Sequence, residues 1–362
     1  MEALEMTGLV LIGTDFATKV AGSKIINGGS RKMRKLSVLF FALILVLAAC
    51  GGKDKGASDS KGKDGEASFD DLFVTIATGG TSGVYYPMGG ALATILEDNL
   101  GIDASVQATQ ASVENVNLIL SNRAELAFIT GDTGFQAYEG SGAFEKEGAK
   151  KDLRALASFY PNYLQIIATE DSGIKSFKDL KGKKIAVGAP NSGTELAARV
   201  LLEGHGMSYD DITPDYLSFA EAAEQMKNGI IDAAILSSGI PNSAIMDLET
   251  THGVTFLPIE DDAMKYLTEK YSYLKEAVIP ADSYSNKEDV PAIAITNALI
   301  VSKDLSEDEV YHITKAIYEN LDTLKNAHSA AEDIDIKNAP EGLGIPLHPG
   351  AEKYYKEEGV LK

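Results

Sequence analysis

The apolar and polar positions of this chain fall into a pattern that occurs twice. Phe73-Val74-Thr75-Ile76-Ala77-Thr78-Gly79-Gly80 is an apolar run of the buried-strand type ending in a Gly-rich turn, and the residues after it have the spacing of a helix through Leu96 that stops near Gly101. Lys184-Ile185-Ala186-Val187-Gly188-Ala189-Pro190-Asn191-Ser192-Gly193-Thr194-Glu195 repeats the strand and turn, and its helix is predicted to end at Gly204. A further helix follows each unit, at Ser112 to Ser121 and at Ala220 to Lys227. Asn122-Arg123-Ala124-Glu125-Leu126-Ala127-Phe128-Ile129-Thr130-Gly131 then matches Asn228-Gly229-Ile230-Ile231-Asp232-Ala233-Ala234-Ile235-Leu236-Ser237, each reading as helix end, turn and buried strand.

The first strands align at Ile76 and Ile185, and the two offsets, 109 and 106 residues, are close enough to suggest two lobes of similar βαβαβ topology. In open parallel sheets ligands sit beyond the carboxyl ends of the strands, so two such lobes face each other across a cleft. Residues 155–169 and 290–302 are long apolar β-like runs and are the candidate hinge crossovers. The helices after Asp304, rich in Tyr and Glu, are expected to return to the first lobe. The expected division is α/β throughout, with residues 69–160 and 290–362 forming lobe I and residues 161–289 lobe II.

The N-terminal segment reads differently. Arg34-Lys35 precede fourteen uncharged residues, Leu36 to Ala49, and then Cys50. A basic start and a short apolar stretch match a secretory signal, and fourteen residues at ~1.5 Å rise do not comfortably span a ~30 Å hydrocarbon core. Leu47-Ala48-Ala49-Cys50 resembles a bacterial lipobox, in which the Cys thiol receives lipid and becomes the new N-terminus. The competing reading, a Cys buried in a core helix, sits poorly with Gly51-Gly52 and the polar tract that follow. Glu2, Glu5 and Asp15 do not suit a signal peptide, which points to Met33 as the true start. Residues 51–68 hold only Gly, Ser, Lys, Asp, Glu and Ala and are expected to be a tether with a reach of about 23 Å. The mature body is thereby placed outside the cell membrane, anchored through Cys50.

Composition narrows the partners. The 362 residues carry 33 Lys plus Arg against 53 Asp plus Glu, a net charge of −20, and no basic block beyond the N-terminal region could track a phosphate backbone. Nucleic acid is excluded as a partner. Removing residues 1–49 takes away six basic and three acidic residues and leaves −23. The single Cys rules out an intrachain disulfide and a multi-cysteine zinc site.

Candidate recognition residues cluster at the strand ends. Ser192-Gly193-Thr194-Glu195 has capping-box spacing, with Ser192 as N-cap and Glu195 reaching back to it. Directly after a strand, the free N–H groups of such a turn suit a carboxylate, although the same spacing also fits a plain capped helix. The matching turn, Gly79 to Pro87, offers hydroxyls, open backbone and Tyr85 and Tyr86, but lacks the Lys of a P-loop, and no G-x-G-x-x-G is present here. Gln110, Ser112 and Asn115 are placed where they can hydrogen-bond an amide or amino acid, Ser112 being equally a plain N-cap. Thr130, Asp132 and Thr133 follow a buried strand, with Asp132 either an ammonium partner or a turn-forming residue between Gly131 and Gly134. Ser218 and Glu221 form another capping box, read as structural. His205, between two glycines, reads as a surface turn residue, and Arg199 as the partner of Glu195 one helical turn away. The five histidines are scattered without helical pairing, so no metal site, cofactor or catalytic triad is expected.

Taken together, Thr78-Gly79-Gly80-Thr81-Ser82-Gly83-Val84-Tyr85-Tyr86-Pro87, Tyr160-Pro161, Asp171-Ser172-Gly173-Ile174, Ser192 to Glu195, Gly239-Ile240-Pro241 and Ile345 to Ala351 resemble the TAXI group of TRAP-transporter solute-binding proteins. Gly131-Asp132 stands where a Gln-Ser or similar pair is expected for that group. The resemblance implies a two-lobed periplasmic-binding fold, type II-like, with the ligand in the interlobe cleft. It also implies a monomeric receptor, not an enzyme, that hands a captured glutamate- or glutamine-like acid to a TRAP permease driven by a cation gradient. The ligand shell so expected comprises Gly80, Thr81, Gly83, Tyr85, Gln110, Ser112, Asn115, Thr130, Asp132, Asn191, Ser192, Gly193, Thr194, Gly239 and Pro241. A substrate-binding lipoprotein of an ABC importer, a ligand-presenting sensory lipoprotein, and a hydrolase or transferase on the same lobed fold are the alternatives. If Cys50 carries the lipid, Cys50→Ser should release the protein from the membrane fraction with its ligand affinity unchanged. Membrane retention of a variant whose signal has been removed would refute the anchor.

Overall fold

Phe69 and residues 71–362 are described by the computed structural model, all within one compact unit that spans Gly62–Lys362. The signal segment, Cys50 and the tether lie outside the described residues. The first apolar run forms β1 (Phe73–Ala77), followed by α1 (Tyr85–Leu100), β2 (Asp103–Gln107), α2 (Ser112–Leu120), β3 (Leu126–Thr130) and α3 (Gly131–Glu139). A long strand, β4 (Arg154–Thr169), leads to β5 (Lys184–Ala186), α4 (Gly193–Gly204), β6 (Thr213–Asp215), α5 (Phe219–Lys227), β7 (Ala233–Ser238) and α6 (Ser243–Glu249). The chain continues through β8 (Val254–Phe256), α7 (Asp261–Lys270), β9 (Leu274–Ile279) and β10 (Val290–Val301), and closes with α8 (Glu307–Glu319), α9 (Leu321–Ala327) and α10 (Pro349–Glu357). Helix α1 ends where Gly101 takes a left-handed φ of 66° and returns its N–H to Glu97 and Leu96. No helix among the described residues is long and apolar enough to cross a membrane.

One ten-stranded sheet carries everything, in the order β2-β1-β3-β10-β4-β7-β5-β6, with β9 on β10 and β8 on β4. The duplication is visible in the pairing. Ile76 and Ala77 of β1 oppose Leu126 and Ala127 of β3, and Ile185 and Ala186 of β5 oppose Ala233 and Ala234 of β7, both in parallel. Each parallel set is covered on both faces, which is why its strands read as unbroken apolar runs. The set around β1 has Met88, Leu92 and Ile95 of α1 on one face and Val116 and Ile119 of α2 on the other. The set around β5 has Ala198, Leu201 and Leu202 of α4 on one face and Ala222, Met226 and Ile245 on the other. Helices α8 and α10 pack against the α1 face through Val310, Ile313, Ile317 and Tyr355.

The two sets are joined by β4 and β10, which run antiparallel to each other between them. The first part of β4 pairs with β10 and its last part, Tyr163–Ala168, with β7; β10 pairs with β9 at one end and with β3 at the other. Between the pairs Thr296–Pro161 and Ala298–Ser158, the single residue Asn297 faces both Phe159 and Tyr160, a bulge in β4. A bulge leaves ladder groups unpaired, and Asn297, fully buried, replaces them. Its Nδ2 donates to the Tyr160 carbonyl at 2.9 Å and to Asn162 Oδ1 at 2.8 Å, while its Oδ1 accepts the Tyr85 hydroxyl at 2.6 Å.

Two local expectations change. His205 is half-buried, its ring stacked on Phe177 with centroids 3.6 Å apart and its Nδ1 2.8 Å from the Leu201 carbonyl. Burial holds its imidazole below the ordinary value. Glu195 does not reach back to complete the box at α4; only its N–H bonds Ser192 Oγ, and its carboxylate instead takes Arg199, at 2.6 Å, and the Tyr209 hydroxyl, at 3.0 Å. At α5 the box with Ser218 and Glu221 is complete.

Replacing Asn297 with Ala strands three buried groups, so the loss should be about 2–4 kcal/mol in urea denaturation. A change under ~0.5 kcal/mol would mean that solvent or rearrangement satisfies the bulge.

Candidate functional site

Because the two parallel sets run in opposite directions and so turn their carboxyl ends toward each other, the turns after β1, β2, β5 and β6 converge on a cavity of about 370 Å³. Gly79 to Tyr85 supply one wall with Thr109, Gln110, Ser112, Glu114 and Thr130; the facing wall is Ala189, Ser192, Gly193, Thr194, Ser218, Phe219 and Glu221. Asn162, Ser237 and Ser238 come from the long strand β4 and the end of β7. The N-termini of α1, α2, α4 and α5 all open on this space. Among the described residues no Lys, Arg or His lines it.

The amides at these helix ends differ in what they already hold. At α4, Ser192 Oγ accepts the Glu195 N–H at 3.1 Å, while the N–H groups of Gly193 and Thr194 have no acceptor among the described residues, and neither has that of Phe219 at α5. At α2 the N–H groups of Val113 and Glu114 donate to the Asn191 carbonyl across the cleft, at 3.2 and 3.4 Å. The turn that presents α2 is strained: Ala111 has φ 74° and ψ −144°, a region that costs a non-glycine residue on the order of 1–3 kcal/mol. It is held by Thr109, whose Oγ1 accepts the Ala111 N–H at 2.9 Å and donates to Asn115 Oδ1 at 2.7 Å. Ser112 is therefore the first helical residue and not the cap.

Both acids on the wall are tied to their own turns. Glu114 Oε2 accepts the Gln110 N–H at 2.6 Å, and Glu221 Oε2 accepts the Ser218 N–H and hydroxyl, which hold its carboxyl below the ordinary range. Tyr85 is on the wall, but its ring stacks on Phe128 and burial, with Asp132 nearby, keeps its phenol protonated as a donor to Asn297. It is a fixed part of the cavity floor.

Of the residues expected to form the ligand shell, Gly80, Gly83, Tyr85, Gln110, Ser112, Thr130, Ser192, Gly193 and Thr194 are brought together around the cavity. The others are not on its wall, for identifiable reasons. Asn115 is wholly buried, its Nδ2 given to the Thr78 and Phe128 carbonyls at 2.6 and 2.7 Å. Thr81 is exposed at the tip of its turn. Asn191, with φ 60°, turns its carbonyl to α2. Gly239 packs against Val84, Tyr160 and Ala330, and the Pro241 carbonyl takes the His328 Nε2–H at 3.1 Å. Asp132 is buried behind Thr130 in the first turn of α3; neither carboxylate oxygen has a well-formed hydrogen bond, and burial pushes its pKa up against the weaker pull of the Thr130 and Thr133 groups. Asn162, Ser237, Ser238 and Phe219 were not anticipated. Ser237-Ser238 closing an otherwise apolar strand, and Asn162 interrupting one, are the signals that mark them.

Residues 76–359 match the NMT1-like family. The chain belongs to that family. A relative in Escherichia coli (strain K12), named as an aliphatic sulfonates-binding protein, is 38% identical over 68 residues, which is 19% of this chain and 21% of the relative, so the match spans about a fifth of that protein's length. A solved structure described as a periplasmic transporter superposes with a TM-score of 0.51 at 13% identity, covering 81% of this chain and 95% of that one. The periplasmic aliphatic sulphonate binding protein of Escherichia coli gives 0.43 at 18% identity, covering 79% and 83%. The fold of this NMT1-like protein is thus the two-lobed periplasmic-binding one, each lobe a βαβ-based sheet flanked by helices. The resemblance to the TAXI group is corrected by the family match and the sulfonate-binding relative, and the TRAP permease falls with it as the partner. The TAXI motifs turn out to hold the fold: in Ile345 to Ala351, for example, His348 caps α10 by accepting the Gly350 N–H at Nδ1.

Gly193 lies so close to the other lobe that a Cβ there would stand 2.5 Å from Thr130 Oγ1 and 2.7 Å from Ser112 Oγ. Gly193→Ala should therefore keep the lobes apart, with a larger radius of gyration than wild type in small-angle scattering and an unchanged circular dichroism spectrum. Equal radii would show that this approach is not needed for closure.

Proposed function

We propose that this protein is the extracytoplasmic solute-binding receptor of an ABC importer and that its cavity takes a small organic acid by a carboxylate or sulfonate head. The observation that carries this is the convergence of helix N-termini, with free N–H groups at Gly193, Thr194 and Phe219, on a cleft that no basic side chain of the described residues lines. Each such helix end is worth about 0.3–1 kcal/mol to an anion, and up to ~2 kcal/mol in partly buried sites. The net negative charge opposes this only at long range, since salt screens it over ~8 Å while the amides act at contact. A volume of about 370 Å³ is at the small end of ligand pockets. Glu114 and Glu221, one from each wall, favour an acid that also carries an ammonium group, as in an amino acid or amino sulfonate.

In this reading lobe I is residues 69–160 with 290–362, lobe II is residues 161–289, and the boundary falls inside β4. Cys50 is the lipid anchor and residues 51–68 the tether. The sulfonate-binding name of the Escherichia coli relative supports the sulfonate as one of the two head groups. No nucleophile is paired with a base on the cavity wall, and binding without chemistry accounts for the residues there.

A thermal-shift screen of carboxylates, amino acids and alkanesulfonates tests the proposal, together with mass spectrometry of any acid that co-purifies. A ligand at a hundred times its Kd stabilises by about 2.7 kcal/mol, which for a body of about 300 residues is a rise of roughly 4 °C. Stabilisation by neutral sugars or by cations and by no acid would sink it.

A further inference from the structure

Among the described residues five buried side chains carry a polar atom with no hydrogen-bond partner: the Asp132 carboxylate, the Tyr160 hydroxyl, His205 Nε2, Gln225 Oε1 and the Ser237 hydroxyl. Only Ser237 stands on the cavity wall. It is the residue before the last of β7, and its backbone is engaged with β4 opposite Leu164, while its carbonyl also accepts Asn162 Nδ2 at 3.2 Å. The residue is 5% exposed and its hydroxyl oxygen is buried, so bulk water does not readily serve it.

The surroundings cannot serve it either, and the reason is directional. Tyr85 donates to Asn297 Oδ1, which turns the Asn297 amide nitrogen toward the Tyr160 carbonyl and Asn162 Oδ1. That in turn fixes Asn162 with its nitrogen toward the Ser237 carbonyl and its oxygen already taken. The next hydroxyl along, Ser238 Oγ, accepts Asn242 Nδ2 at 2.9 Å. A run of oriented amides thus ends beside Ser237 and leaves its hydroxyl with a proton to donate and lone pairs to fill. A buried hydroxyl in that condition lowers the stability of the empty protein and is compensated only by a partner that arrives from the cavity.

We infer that Ser237 is a specificity-determining contact: it pairs with a second polar group of the ligand, a hydroxyl or amino substituent beside the acid head. This rests on the organic-acid reading above. The head is held by backbone amides, which treat all small acids alike, whereas an acid without the substituent leaves Ser237 unpaired and is disfavoured for that reason.

Calorimetry on the full chain with two matched sets tests it: propionate, lactate and alanine; ethanesulfonate, isethionate and taurine. Wild type should bind a substituted member at least tenfold more tightly than the plain acid of its set. Ser237→Ala should abolish that preference, change affinity for the plain acid less than about threefold, and leave the melting temperature of the unliganded protein equal to wild type or higher. Ser238→Ala, which removes a hydrogen-bonded hydroxyl, should lower it. A preference that survives in Ser237→Ala, wild-type binding without preference, or a fall of several degrees in the unliganded Ser237→Ala protein would each overturn the assignment while leaving the organic-acid reading intact. If wild type binds none of the six and the thermal-shift screen finds no acid, the organic-acid reading fails and the Ser237 assignment with it.

Discussion

Two strands pass between the halves of this molecule, and the backbone they carry through the interior has to stay hydrogen-bonded while its neighbours change. At the crossing the ladder between β4 and β10 slips by one residue, and a single buried amide, Asn297, takes over from the missing backbone bonds. Much of the site hangs on that substitution. The Tyr85 hydroxyl is held by Asn297, so the start of α1 is held too, and Asn162 is oriented from the other side of the same amide. The floor of the cavity is therefore a set of dipoles fixed before any ligand arrives, which is the condition under which polar groups discriminate well in a low-dielectric space.

Recognition in an acidic protein then becomes a question of range. Helix ends act over their first turn, and among the cavity-lining residues Glu114 and Glu221 are each bound into a turn through one carboxylate oxygen. Backbone donors have a further advantage over a basic side chain. They need no side-chain ordering when they meet an anion, and no mobile cation competes for the cavity when it is empty of ligand.

The repeated βα units were legible because strands covered on both faces leave continuous apolar runs, and Ile76 and Ile185 do occupy equivalent registers. Turns were legible where a hydroxyl and a carboxylate stand three residues apart, as at Ser218 and Glu221. What sequence could not reveal was the direction in which a polar group faces. Asn115, Asn191 and Ser192 look alike as polar residues near strand ends, yet one bonds interior carbonyls, one presents its backbone to the opposite lobe and one caps a helix beside the cavity. Ser237 was missed for the converse reason, since a serine inside an apolar strand reads as tolerated until its hydroxyl is seen to be unpaired. The family assignment failed in the same way: the motifs behind it mark turns and caps that the fold requires, and such features do not separate one branch of receptors from another.

The Asn191 carbonyl bears on how easily the molecule shuts. When the lobes meet, it replaces the water that the exposed N-terminus of α2 would otherwise hold, so those hydrogen bonds are exchanged and not gained outright. An exchange of that kind leaves open and shut forms close in free energy, and the balance is then set by whatever else fills the cleft. A weakly favourable ligand suffices to tip such an equilibrium, and the same near-balance lets the lobes part again. The contact that shuts the cleft is thus one that needs little free energy to undo.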